Sequence, residues 1–126
     1  MVEQLEGEGY TILCAASTRD RGYDIVAHRA GRQIIIEAKG ATSSKAGTKD
    51  YGKPWGNGKL SHSLAQAILR AMETASDFVA RNEPVEVAIA LPDVPYYRNT
   101  VLKIQNVLSA AGIRTYLVAA GRVEVV

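Results

Sequence analysis

Cysteine is almost missing from this chain. A single residue, Cys14, rules out an internal disulfide and any zinc site built from several cysteines. In a β-rich stretch it reads as an inert core residue. Long apolar runs are missing too, and no stretch reaches the ~20 residues that a bilayer span requires. The N-terminus carries Glu3, Glu6 and Glu8 where a secretory leader has a basic start and an apolar segment. These gaps lead us to expect a reduced, soluble, cytoplasmic protein with no membrane attachment. Nothing is short that would stop folding. Apolar types make up 47% and charged types 22% of 126 residues, which suits one domain over residues 1–126.

The formal net charge is only +2, but it is unevenly spread. Between His28 and Lys59 stand seven basic residues, Arg29, Arg32, Lys39, Lys45, Lys49, Lys53 and Lys59, against two acidic ones, Glu37 and Asp50. A local basic region on a nearly neutral domain is the footprint of a polyanion site. A solvated lysine-rich loop has the same composition, so charge alone leaves both readings open.

Val2 and Leu5 sit at helical spacing in a short Glu-rich segment stopped by Gly9. Residues 10–15, 23–28 and 33–39 read as strands, the last two joined by Arg29-Ala30-Gly31-Arg32. The Ile34-Ile35-Ile36 run predicts a strand covered on both faces. Residues 40–58 hold five glycines without periodicity, a long basic loop of the kind that is either functional or mobile. From Leu60 to Arg81, Leu64, Ala67, Ile68, Ala71, Met72, Ala75 and Val79 form one apolar helical stripe. A strand over 85–91, a helix over 97–111 with Val101, Leu102, Ile104 or Gln105, and Leu108 on one face, and two short strands over 114–118 and 122–126 complete the pattern. The fold class expected is α/β, with an αβββαβ core, a mixed central sheet and helices on its faces.

The chemistry lies in the hairpin. With Ala30-Gly31 as the turn, Asp24 falls directly opposite Glu37 on one face, with Cβ atoms roughly 4.5–5.5 Å apart. Two carboxylates held so close repel, and something positive must compensate. Lys39 shares the face of Glu37 by strand alternation. A hard divalent cation is the other answer, held by Asp24, Glu37 and the Ala38 carbonyl; Mg²⁺ prefers such oxygens, and Mn²⁺ can substitute. A metal so held polarises a phosphoryl oxygen and acidifies water, and the lysine orients that water or offsets developing charge. The reaction class is metal-dependent phosphodiester hydrolysis. The Arg29–Arg32 turn and the basic loop with Lys45, Lys49, Lys53 and Lys59 are the candidates for holding the nucleic-acid backbone.

Asp24, followed by Glu37-Ala38-Lys39 after an Ile-rich strand and then a helix, resembles the PD-(D/E)XK nuclease superfamily. The stretch from Gly22 to Gly40 is most similar to its restriction endonuclease-like and archaeal Holliday-junction resolvase-like branches. The specific resemblance covers residues 22–40, and the order of elements extends it over most of the chain. It implies a restriction endonuclease-like fold, Asp24 and Glu37 as metal ligands and Lys39 as catalytic lysine. Several branches place a glutamine on the helix after that strand, which implies Gln66 as a further catalytic residue. The resemblance also implies DNA as substrate, with RNA left open, and a homodimer with two sites. Two departures stand out. Tyr23 replaces the proline of the first motif, and Glu3 and Glu6 are the sole candidates for the acidic residue many members carry in the first helix.

Three further residues have plainer readings. His62 is expected as a solvated helix residue, and Arg70 as a surface partner of Glu73 or Asp77. Trp55, with Tyr51, either stacks on bases or folds back to anchor the loop. The competing functional reading is a catalytically inactive module on the same scaffold that binds nucleic acid or a protein; a purely structural subunit is the third.

Overall fold

The computed structural model describes residues 1–15, 24–40 and 54–126. Helix α1 (Val2–Gly7) leads into β1 (Thr11–Ala15), β2 (Ile25–Arg29) and β3 (Arg32–Ala38). Then follow α2 (Asn57–Ala80), β4 (Val85–Pro92), α3 (Pro95–Ala110), β5 (Ile113–Ala119) and β6 (Arg122–Val125). The strands form one mixed sheet in sequential order. The first three are antiparallel, β3, β4 and β5 are parallel, and β6 returns antiparallel. Among the described residues no helix is long and apolar enough to cross a membrane.

The β2–β3 hairpin turns at Ala30 and Gly31, both at positive φ (50° and 80°). That is the backbone of a two-residue turn whose twist matches its strands. It pairs Arg29 with Arg32 and, at the far end, Ile25 with Ile36, the register expected from the sequence. Each parallel connection moves one strand further in the same direction, so a common crossover hand puts both helices on one face. Leu60, Leu64, Ala67 and Ala71 of α2 and Tyr97, Val101 and Leu108 of α3 pack there on Val87, Ile89 and Leu91. The opposite face carries Ile34, Ile36, Ala88, Ala90 and Tyr116 under Leu5 and Tyr10. The middle strand is thus covered on both sides, and Ile34, Ile35 and Ile36 are all buried, as the unbroken apolar run implies.

The buried stripe of α2 is rotated from the sequence expectation. Ser63, Thr74 and Phe78 are buried with the apolar set, whereas Met72 and Val79 are 52% and 76% exposed. Leu102 of α3 also faces outward. The buried line of α2 runs through Leu60, Leu64, Ala67, Ala71, Thr74 and Phe78, and Met72 and Val79 each lie one residue, about 100° around the helix, off it. Trp55 packs against the α2–α3 core with the Lys59 ammonium over its ring, the anchoring role of the two foreseen. Tyr51 lies outside the described residues.

Candidate active site

Alternation along β3 sends Ile34 and Ile36 toward α1, and Glu37 toward α2. Glu37 sits in register with Ile89 of β4, and its side chain is 14% exposed. Asp24 immediately precedes β2, and the register places it across from Glu37. Its carboxylate accepts a 2.8 Å hydrogen bond from the Ala38 N–H. The next amide, Lys39 N–H, points the other way and donates to the Ala90 carbonyl at 3.0 Å. N–H and C=O of one strand residue face the same side, so the Ala38 carbonyl is directed toward the Asp24 edge.

The Lys39 ammonium lies 3.7 Å from Glu37 Oε1, and Arg70 Nε of α2 lies 3.7 Å from Oε2. Burial pushes the Glu37 carboxyl above the usual carboxylate range, the Asp24 charge adds to this, and Lys39 and Arg70 act against it. The balance stays upward, because burial with the Asp24 charge outweighs the two cations.

The chain beyond Lys39 is fastened. The Tyr97 hydroxyl of α3 donates to the Gly40 carbonyl at 2.8 Å and is also hydrogen-bonded to Ser63 of α2. Burial raises the Tyr97 phenol, which therefore stays neutral as a donor. On the α1 side of the sheet an apolar cleft of about 490 Å³ opens beside Lys39, between Met1, Ala90, Pro92 and Val118.

The structure brings together Asp24, Glu37, Ala38 and Lys39. The helix contact to Glu37 comes from Arg70, not from Gln66, which is exposed one turn earlier on α2. Arg70 is therefore no mere partner of Glu73 or Asp77; its place at i+4 from Gln66 was the signal that could have found it. His62 is exposed on the same helix, as foreseen. Arg29 and Arg32 are not brought to this site. They lie at the turn end of the hairpin, five residues or about 17 Å from Asp24 and Glu37 at about 3.3 Å per residue, on the α1 face. There Arg29 covers the Tyr10 ring and donates to the Glu8 carbonyl, and Arg32 pairs with Glu86. Lys59 is exposed on the first turn of α2, while Lys45, Lys49 and Lys53 lie outside the described residues.

No acid of α1 reaches Glu37. Glu3 and Glu6 are exposed, and α1 covers the other sheet face. Among the described residues no group of three or more His, Cys, Asp or Glu is assembled that could hold a metal. What is present, two carboxylates and a backbone carbonyl, is an all-oxygen donor set that fits a hard cation with several retained waters.

The architecture matches a solved structure. An XisH family protein from Nostoc punctiforme superposes with a TM-score of 0.52 at 18% identity, over 90% of this chain and 82% of that one. The two share a fold. An FdxN element excision controlling factor from Anabaena variabilis superposes with a TM-score of 0.48 at 17% identity, over 90% and 81% of the two chains. No family model matches the chain, and no curated protein does. The likeness supports a mixed α/β fold of six strands with flanking helices.

Proposed function

We propose that this chain is a Mg²⁺-dependent endonuclease that hydrolyses phosphodiester bonds of DNA, with Mn²⁺ able to substitute. The observation that carries the reading is the convergence of the Asp24 and Glu37 carboxyls around Ala38, with the Lys39 ammonium on Glu37. The resemblance of residues 22–40 to PD-(D/E)XK nucleases and the matching order of elements support it.

Asp24, Glu37 and the Ala38 carbonyl would hold the cation. When bound it supplies Lewis-acid stabilisation of a phosphoryl oxygen and a more acidic water. The chain's own part is positional. Lys39 holds its ammonium beside Glu37, from where it orients the attacking water and offsets charge as the phosphorus–oxygen bond to the leaving group breaks. Gln66, one turn before Arg70, supplies a further donor to substrate or water. Lys59, with the lysines of the basic segment, holds flanking phosphates without reading sequence.

We further propose a cytoplasmic homodimer. Its support is the outer face of α2, where Leu69, Met72 and Val79 are more than half exposed, together with the small grip one domain has on a duplex. One observation favours the second reading, a module that binds nucleic acid or a protein without cutting: both Glu37 oxygens already face cations of the chain itself.

Supercoiled, linear and branched DNA incubated with the protein, with and without Mg²⁺ or Mn²⁺, separates the two. Metal-dependent nicking that disappears in Glu37→Ala and Lys39→Ala is expected. Binding without cutting on every substrate would hand the case to the inactive module.

A further inference from the structure

Glu37 is held from two sides. Lys39 comes from the same strand and Arg70 from α2, each at 3.7 Å. Both are ion pairs somewhat longer than an ordinary hydrogen bond. Their surroundings differ. The Lys39 side chain is 26% exposed and tied to the strand end, whereas that of Arg70 is 48% exposed. Beside Arg70, α2 opens a cleft of about 290 Å³ lined by Arg70, Glu73, Thr74 and Asp77. Glu73 lies one turn further along the helix and Asp77 two, the latter paired with Arg81 at 3.1 Å. A guanidinium leaving Glu37 thus finds space and two carboxylates without any movement of the helix.

We propose that Arg70 is a two-position counter-ion of Glu37. In the inward position it balances the carboxylate, so that Asp24 and Glu37 with Lys39 and Arg70 sum to zero charge and the hairpin end does not splay. In the outward position it lies along α2 against Glu73 and Asp77 and leaves Oε2 to a divalent cation. The inference rests on the reading of Asp24 and Glu37 as cation ligands. Arg70 is a positioning residue: it acts on a ligand rather than on substrate. Cation uptake and the departure of Arg70 are one exchange, so the chain binds cations more weakly than its carboxyls alone would.

The test is Mn²⁺ binding to the full chain without nucleic acid, followed by loss of the free-Mn²⁺ electron paramagnetic resonance signal. Arg70→Gln is expected to bind about three- to tenfold tighter than wild type. Glu73→Gln combined with Asp77→Asn is expected to bind more weakly, because the outward position loses its acceptors. Arg70→Lys should return the affinity toward wild type. A merely structural arginine would lower the melting temperature on removal and leave affinity unchanged or weaker. Unchanged or weaker binding by folded Arg70→Gln therefore overturns the counter-ion and leaves the cation site standing. If neither wild type nor Arg70→Gln binds Mn²⁺, or if Glu37→Gln binds it as well as wild type, the cation site itself is lost and the counter-ion with it.

Discussion

The Asp24 carboxylate accepts the Ala38 N–H at 2.8 Å, beyond Ile25 and Ile36, the last paired residues of the β2–β3 ladder. A side chain thus takes over where backbone pairing stops, and the same group is a candidate ligand.

Structure and chemistry can be separated at this position. Asp24→Asn keeps an acceptor for the Ala38 amide, whereas Asp24→Ala leaves the amide without it. We expect Asp24→Ala to lose about 1 kcal/mol of stability and Asp24→Asn to lose distinctly less. Both should abolish metal-dependent cleavage. Denaturant midpoints and plasmid nicking on the same preparations check this; equal midpoints for the two variants would contradict it.

Glu37 gives a pH signature. Its carboxyl is raised above the usual range by burial first and by Asp24 second. A raised acid binds its proton more tightly folded than unfolded, so ionising it costs stability. The cost is absent below the ordinary carboxylate pKa and complete above the raised one. The stability of Glu37→Gln relative to wild type should therefore rise between about pH 4 and neutrality. Thermal unfolding at the two pH values measures it, and a constant difference speaks against it.

Asp93 has the opposite sign. It receives two hydrogen bonds of 2.8 Å from Arg98 and one of 2.9 Å from Arg122. Arg98 also reaches Glu124 of β6. Chiefly through Arg98, the Asp93 carboxyl is held below its ordinary range. The stabilisation is present above the unfolded pKa and fades as pH falls through the folded one. Asp93→Asn should melt below wild type at pH 7, and the two curves should converge in strong acid.

The hairpin turn should be indifferent to nucleic acid. Arg29→Ala and Arg32→Ala are expected to keep wild-type DNA affinity, since both guanidiniums are engaged on the α1 face. Arg29→Ala should cost about 0.5–1 kcal/mol through loss of its contact with the Tyr10 ring. Lys59→Ala, by contrast, should weaken binding and reduce its salt dependence. Affinities over a salt series decide between them.

Much of this site could be read from the chain because few-residue rules govern it. A two-residue turn leaves one register, and that register carries Asp24 to Glu37 whatever the rest of the fold does. The isoleucine run announced a strand buried on both faces for an equally local reason. Contacts between elements were less visible. The Arg70–Glu37 pair depends on how α2 is rotated over β3, and side chains at Gln66 and Arg70 differ by a single turn of one stripe. The placement of Arg29 and Arg32 needed only a length count: β3 spans seven residues, enough to carry the turn far from its other end.

Counting at the turn has a consequence for how such a chain can vary. A one-residue slip of β2 against β3 at Ala30-Gly31 would turn every β2 side chain to the opposite face, carrying Asp24 to the α1 side and Ile25 and Ala27 out of their core. Length changes of two residues would preserve the pairing. The chemistry of one end of this hairpin is therefore guarded by an arithmetic constraint on a bend that touches neither ligand.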